Sequence, residues 1–296
     1  MVGVNKMKEL NIVANNCLDG RTIKYVLEKH LLLSDKLVSD LKKGEYILVN
    51  GTYSTVRKTV SIGDEIKIII PEMQENEIVC ENGFLDILYE DEDVIAVNKP
   101  AGMPTHPSRH HVTGTLANLV CGYLGNEFVF RSITRLDKDT TGVVLIAKNR
   151  YSAEMLNRQM RNKSIKKEYL AICKGQISEE FTVEACIKKE SERGIKRIVS
   201  PDGQYAKTYC FPVETKNGLT LVKVVPETGR THQIRVHLAY NGYPLYGDYL
   251  YGNEVVGTRT MLHCERLTFT HPCTGADVNI IAKIPEDFIE ILKIRR

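Results

Sequence analysis

The segment Arg135-Leu136-Asp137-Lys138-Asp139-Thr140-Thr141-Gly142 runs directly into an apolar stretch at 143–147. A carboxylate on a tight polar turn just ahead of a buried strand is fixed at the edge of a cleft, where it can attack carbon or assist the loss of a proton. Two later strings add partners. Lys167-Glu168-Tyr169 puts a hydroxyl-bearing aromatic on a strand, and Gly229-Arg230-Thr231-His232-Gln233-Ile234-Arg235-Val236-His237 puts an arginine at the start of a helix. Taken singly, each has a plainer reading: an Asx-turn for Asp137, core packing for Tyr169, a phosphate contact for Arg230. An Asp-dependent hydrolase would need a second positioned carboxylate or an acyl-transfer triad, and neither motif is present.

The elements that must position these residues can be read from periodicity. Residues 93–98 form an apolar strand stopped by Lys99-Pro100, with Gly102, Pro104 and Pro107 shaping a rigid loop. Leu116, Leu119, Val120, Tyr123 and Leu124 fall on one helical face behind Thr115 or Gly114 as a cap. Further helices are expected over 151–163, over 231–240 and after Pro285, and further strands over 168–173 and 219–225. Ahead of these, 22–31 and a segment capped by Ser34 read as two short helices. Two strands follow, one running to a turn at Asn50-Gly51 and one over 66–70. Strands and helices mix without regular βαβ alternation, so the fold class is α+β.

At 296 residues with 43% hydrophobic and 26% charged residues, the chain reads as a globular protein of one large and one small domain. It has neither a long apolar span nor a signal-peptide pattern at its start, and its eight cysteines never come within eight positions of each other. The expectation is a cytoplasmic protein with free thiols and no bound metal. His106, His110 and His111 cluster without further zinc-spaced ligands. Charge is unevenly spread: 11 Lys and Arg against 8 Asp and Glu through Pro71, nine acids and no base from Glu72 to Asp93, then 29 bases against 20 acids. Two basic blocks flank an acidic linker, a pattern that fits a polyanionic partner. The expected domains are 1–75 and 76–296, with 76–93 as the acidic linker and leading strand, and the two are expected to be separable.

Five ordered strings resemble the RluA family of RNA pseudouridine synthases over about 85–294: DILYEDEDVIAVNKPAGMPTHP, RLDKDTTGVVLIAKN, KEYLA, ETGRTHQIRVHLAYNGYPLYGD and LHCERLTFTHP. The resemblance implies a catalytic domain on a mixed, mainly antiparallel sheet with flanking helices and a basic RNA-binding cleft. It makes Asp137 the nucleophile, Tyr169 the base-contacting tyrosine and Arg230 the arginine paired with Asp137. Arg135, Thr140, Thr141, His232, Gln233, Arg235, His106, Arg109 and Lys99 become candidates to contact RNA, with Arg131, Lys163, Lys166 and Lys167 as further phosphate-tracking cations. Thr134 and Thr141 stand where many members have His and Ser. Residues 11–71 resemble the S4 RNA-binding domain, with Gly20-Arg21-Thr22-Ile23 in place of its usual Arg-Leu-Asp opening.

The implied reaction breaks the N1–C1′ bond of uridine, turns the uracil and joins C5 to C1′, with no net change in atoms and no cofactor. Asp137 could attack C1′, attack C6 or assist loss of the C2′ proton. The implied partner is structured RNA, with large-subunit ribosomal RNA favoured over transfer RNA, and a monomeric enzyme is expected. A non-catalytic RNA-binding or ribosome-assembly protein on the same fold is the alternative.

Overall fold

The computed structural model describes residues 7–73, 75–108, 111–255 and 259–292. The first part of the chain builds a small sheet and its cover. Strand β1 (Lys8–Val13) is followed by a helical turn α1 (Ile23–Tyr25) that widens into π-type turns over Val26–His30, so the expected first helix is present but loosened in its second half. Ser34 accepts a hydrogen bond from Leu37 N–H and caps α2 (Asp35–Leu41). β2 (Ile47–Val49) and β3 (Thr52–Tyr53) turn at Asn50 and Gly51, both at positive φ as a tight hairpin requires, and β4 (Glu65–Ile70) completes the order β1-β4-β2-β3. Ile66, Ile68 and Ile70 alternate inward against Ile23, Val26, Leu27, Leu37 and Leu41.

Next comes the large sheet with its helices: β5 (Ile87–Glu90), β6 (Val94–Lys99), α3 (Leu116–Leu124), β7 (Arg131–Ser132), β8 (Thr141–Ala147), α4 (Arg150–Arg161) and β9 (Lys166–Lys174). β10 (Phe181–Glu184) precedes a hairpin of β11 (Ile187–Lys189) and β12 (Arg197–Val199). β13 (Lys207–Lys216), β14 (Leu219–Pro226), α5 (Gln233–Tyr240), β15 (Leu262–Thr270), β16 (Asp277–Ile281) and α6 (Glu286–Leu292) follow. The strand order is β10-β13-β14-β9-β15-β8-β6-β5, with β16 beside β15 and β7 beside β8. Every pairing is antiparallel except β15 with β8. The mixed, mainly antiparallel α+β architecture is therefore as expected. Among the described residues no helix is long and apolar enough to cross a membrane.

β8 is buried along its whole length, which is why 143–147 reads as an unbroken apolar run. Its parallel contact with β15 sets one glycine. At Gly142 (φ +110) a Cβ would lie 2.2 Å from the Cys264 carbonyl oxygen, so the strand following the Asp137 turn can approach β15 only with glycine there. α3 begins with a capping box between Thr115 and Asn118.

The acidic stretch is not a free linker. Glu81 N–H bonds to Asn118 C=O at 3.0 Å, the Asn118 amide reaches Val79 C=O at 2.8 Å, and the Glu81 carboxylate accepts from Gly114 N–H at 2.8 Å. Nor do the cores part cleanly near residue 75. Tyr151 and Met155 of α4 pack into the small core, Arg150 pairs with Asp40 at 2.7 Å, and Lys8 pairs with the buried Asp93 at 2.7 Å.

Candidate active site

Asp137 lies on the loop between β7 and β8, and the chain is pinned on both sides of it. Thr105 Oγ1 donates to Leu136 C=O at 2.9 Å and accepts from Leu136 N–H, and Thr140 N–H closes a turn on Asp137 C=O at 3.2 Å. Lys99, fully buried, spends its three ammonium protons on the carbonyls of Pro100 (2.8 Å), Met103 (2.7 Å) and Lys138 (2.9 Å). Burial pulls that ammonium down to about 7, against the attraction of Asp139 and Asp137.

The Asp137 carboxylate keeps 29% of its side-chain surface and faces Arg235 Nη1 at 3.4 Å and His232 Nε2 at 3.9 Å. Arg235 is itself held by a bidentate pair with Asp248, at 2.8 Å on each arm, and both partners are buried. Burial alone would lower the guanidinium's pKa; the Asp248 bond and the charges of Asp248 and Asp137 raise it instead. Burial, opposed by Asp137 and reinforced by Arg235 and Arg197, lowers His232 below the usual 6.5.

These groups open onto a cavity of about 520 Å³ lined by loops 104–106, 132–140 and 228–235 and by β9. Asp137 is its one acidic lining residue among the described residues, beside Arg135, Lys138, Lys167, Arg230 and Arg235. Tyr169 lines it from β9 at 8% exposure. Burial, then Cys264 and Asp137, push its phenol well above the usual range, so it is a protonated hydroxyl and a poor base near neutral pH. Lys167 also lines the cavity, its ammonium without a hydrogen bond or ion pair among the described residues, and burial lowers its pKa. His106 bonds Ser132 Oγ at 2.7 Å and sits edge-on to Phe130; burial, then the Arg135 charge, lower it as well. Arg135 is exposed at the rim, and Thr140 lies buried in the wall.

Several expectations need correction. Arg230 does not pair with Asp137: its Nε donates to Tyr205 C=O at 3.0 Å and its Nη1 to Gln204 Oε1 at 3.1 Å, and the side chain is exposed. The cause is helix phase. α5 starts at Gln233, not at 231, behind a left-handed His232 (φ 57), so Arg230 stays on the preceding loop and Arg235 enters the first turn. Lys99 and Arg235 are buried, the ammonium bonded to the carbonyls of Pro100, Met103 and Lys138 and the guanidinium to Asp248. Thr141 lies outside the cavity lining, bonded to His263 Nδ1 and Arg259 Nη2 at 2.8 Å each. Gln233 is consumed by Thr228, Arg230 N–H, Lys207 C=O and Thr208. Arg131 pairs with Glu72 and Lys163 with Glu227, while Lys166 donates to Lys163 C=O. Arg109 and His110 lie outside the described residues.

Asp248 and Tyr251 escaped the sequence reading. Asp248 is the one charge in the stretch 242–252, which was its available signal. Among the described residues no cluster of His, Cys, Asp or Glu is placed to hold a metal ion.

A mainly antiparallel sheet that holds one carboxylate at the edge of a cationic cavity suits an anionic substrate, and comparison with known proteins gives the class. Residues 93–240 match the model of the RNA pseudouridylate synthase family. The chain belongs to that family and isomerises uridine to pseudouridine in RNA. A Bacillus subtilis relative called uncharacterized RNA pseudouridine synthase YjbO is 38% identical over 269 residues, covering 88% of this chain and 95% of its own. Ribosomal large subunit pseudouridine synthase D of Neisseria meningitidis is 34% identical over 301 residues, covering 94% and 80%. Among solved structures, human RNA pseudouridylate synthase domain containing 4 superposes with a TM-score of 0.56 at 25% identity, over 71% of this chain and 94% of its own.

Proposed function

We propose that Asp137 is the reacting carboxylate and that the substrate is an unpaired uridine in large-subunit ribosomal RNA. The observation that carries the first part is the isolation of Asp137: one partly exposed carboxylate in the cavity, with its loop pinned by Thr105 and Lys99 and Arg235 at 3.4 Å. The nearby guanidinium holds the carboxylate in place at the cavity, where it can attack C1′ or C6 or remove the C2′ proton. Tyr169, protonated beside the same carboxylate, offers a face to the uracil and a hydroxyl to relay the C5 proton. Bringing a base into this cavity costs a few kcal/mol of unstacking, least where the uridine is already unpaired. The ribosomal target is supported by the name of the Neisseria relative. The small α+β unit is taken as an S4-like RNA-binding element, which its paired helices and the Asn50-Gly51 hairpin support.

Asp137→Asn keeps the shape and removes the charge. It is expected to abolish pseudouridine formation while RNA affinity stays near wild type; turnover within about tenfold of wild type would overturn the assignment. Mapping pseudouridines across total RNA with and without the gene tests the target. A site lost from ribosomal RNA supports it, and one lost only from transfer RNA overturns it.

A further inference from the structure

We propose that Tyr251 is a positioning residue for the reaction: its phenol donates to His232 Nδ1 and so fixes the imidazole in the tautomer that presents Nε2–H to Asp137. For its effect on rate the inference rests on Asp137 as the reacting carboxylate; the assignment of the tautomer does not.

The argument is one of donors and acceptors. Tyr251 Oη accepts the Arg197 backbone N–H at 2.9 Å and lies 2.8 Å from His232 Nδ1. The phenolic proton needs an acceptor, and among the described residues Nδ1 is the one within reach of Oη. Were Nδ1 to carry the proton instead, the half-buried phenol would be left with no protein acceptor among the described residues. The donated proton leaves Nδ1 as acceptor and the ring proton on Nε2, the nitrogen that faces Asp137 Oδ2 at 3.9 Å.

The rest of the ring supports the same task. Tyr251 stands edge-on to His232 at 5.8 Å and 81°, and the Arg235 guanidinium lies over it at 5.1 Å. One side chain therefore touches both groups that flank Asp137. His232 also sits in the left-handed region (φ 57, ψ 17) with no side-chain cap bond of its own, a conformation that a non-glycine residue holds when its surroundings impose it. Tyr251 is in turn fixed from behind by the β11–β12 hairpin, where Ile187 and Val199 pack with it around Val236.

Tyr251→Phe removes the donor and keeps the ring. The test is 15N NMR of the histidine-labelled full chain, with the His232 signals identified by their absence in His232→Gln, alongside single-turnover rates at saturating RNA. The wild type should show His232 protonated on Nε2. In Tyr251→Phe that single tautomer should be lost and the rate should fall about tenfold, the scale of one hydrogen bond, while RNA affinity stays within error of wild type and the protein remains folded with a melting temperature lowered modestly by the loss of the Arg197 N–H acceptor. A proton on Nδ1 in the wild type overturns the proposal, and so does a changed tautomer with an unchanged rate. Failure of the Asp137 assignment would instead show as turnover by Asp137→Asn and leave the tautomer result as it stands.

Discussion

Residues 8–70 bury Ile23, Val26, Leu27, Leu37, Leu41, Ile66 and Ile68 but, among the described residues, one charged side chain, Asp40; the elements around Asp137 bury Lys99, Arg235 and Asp248. Even Asp40 is shared between Lys43 of its own region and, across the boundary, Arg150. An apolar core tolerates substitutions of similar volume, because its contacts are non-directional. A buried charge has no such latitude, since each must be matched by a partner at the right distance or the desolvation cost stands. The first region is thus built for stability, and the second spends stability on holding charges where chemistry needs them.

Asp248→Ala should separate the two most sharply. It leaves the Arg235 guanidinium buried with its remaining partner Asp137 at 3.4 Å, and breaking a buried pair costs about 3 to 5 kcal/mol. Leu37→Ala in the small core should cost a comparable 2 to 5 kcal/mol, roughly, by leaving a cavity. Urea unfolding would show both losses. Single-turnover assays on the folded fraction should show a slowed reaction for Asp248→Ala alone. A comparable slowing by Leu37→Ala would break the comparison.

Lys99→Met removes the lysine that pins Pro100, Met103 and Lys138, and should slow catalysis without weakening RNA binding. It also carries a pH signature. Burial depresses the folded-state pKa to about 7 from the usual 10.5, so between these values the unfolded chain binds more protons than the folded one. Lys99 therefore makes stability rise with pH across roughly 7 to 10.5, by up to about 1.4 kcal/mol per unit. Denaturation of Lys99→Met across that window should show this rise reduced; an identical slope in both proteins would mean that the buried lysine stays charged throughout.

What could be read in the sequence follows the same division. β6, β8 and α3 were legible because apolar runs, glycine and a threonine cap are local signals. The turn holding Asp137 was legible because polar residues and Gly142 abut such a run. β1 escaped notice: its partner β4 lies more than fifty positions away, and its half-buried alternation is faint. The arginine facing Asp137 was misassigned because the choice between Arg230 and Arg235 turns on the left-handed backbone of His232, which no residue pattern announces. Asp248 reaches Arg235 through a loop whose course is tertiary, and nothing in composition distinguishes a buried lysine such as Lys99 from a solvated one.

The smallest effect is expected at the rim. Arg230 is exposed, and its bonds go to Tyr205 C=O and Gln204, so its loss should leave the Asp137–Arg235–Asp248 chain intact. Arg230→Ala should therefore keep its single-turnover rate at saturating RNA and lose affinity a few-fold. If the guanidinium meets a phosphate, the slope of log K against log salt should become shallower by about 0.7 to 0.9, the share of one contact. The measurement distinguishes the two arginines. A slower reaction with unchanged affinity would mean that bound RNA draws Arg230 from Tyr205 and Gln204 toward Asp137, and the rim would then belong with the buried charges of the floor. An unchanged rate with a shallower salt slope would keep it with the solvated cations that only gather the polyanion.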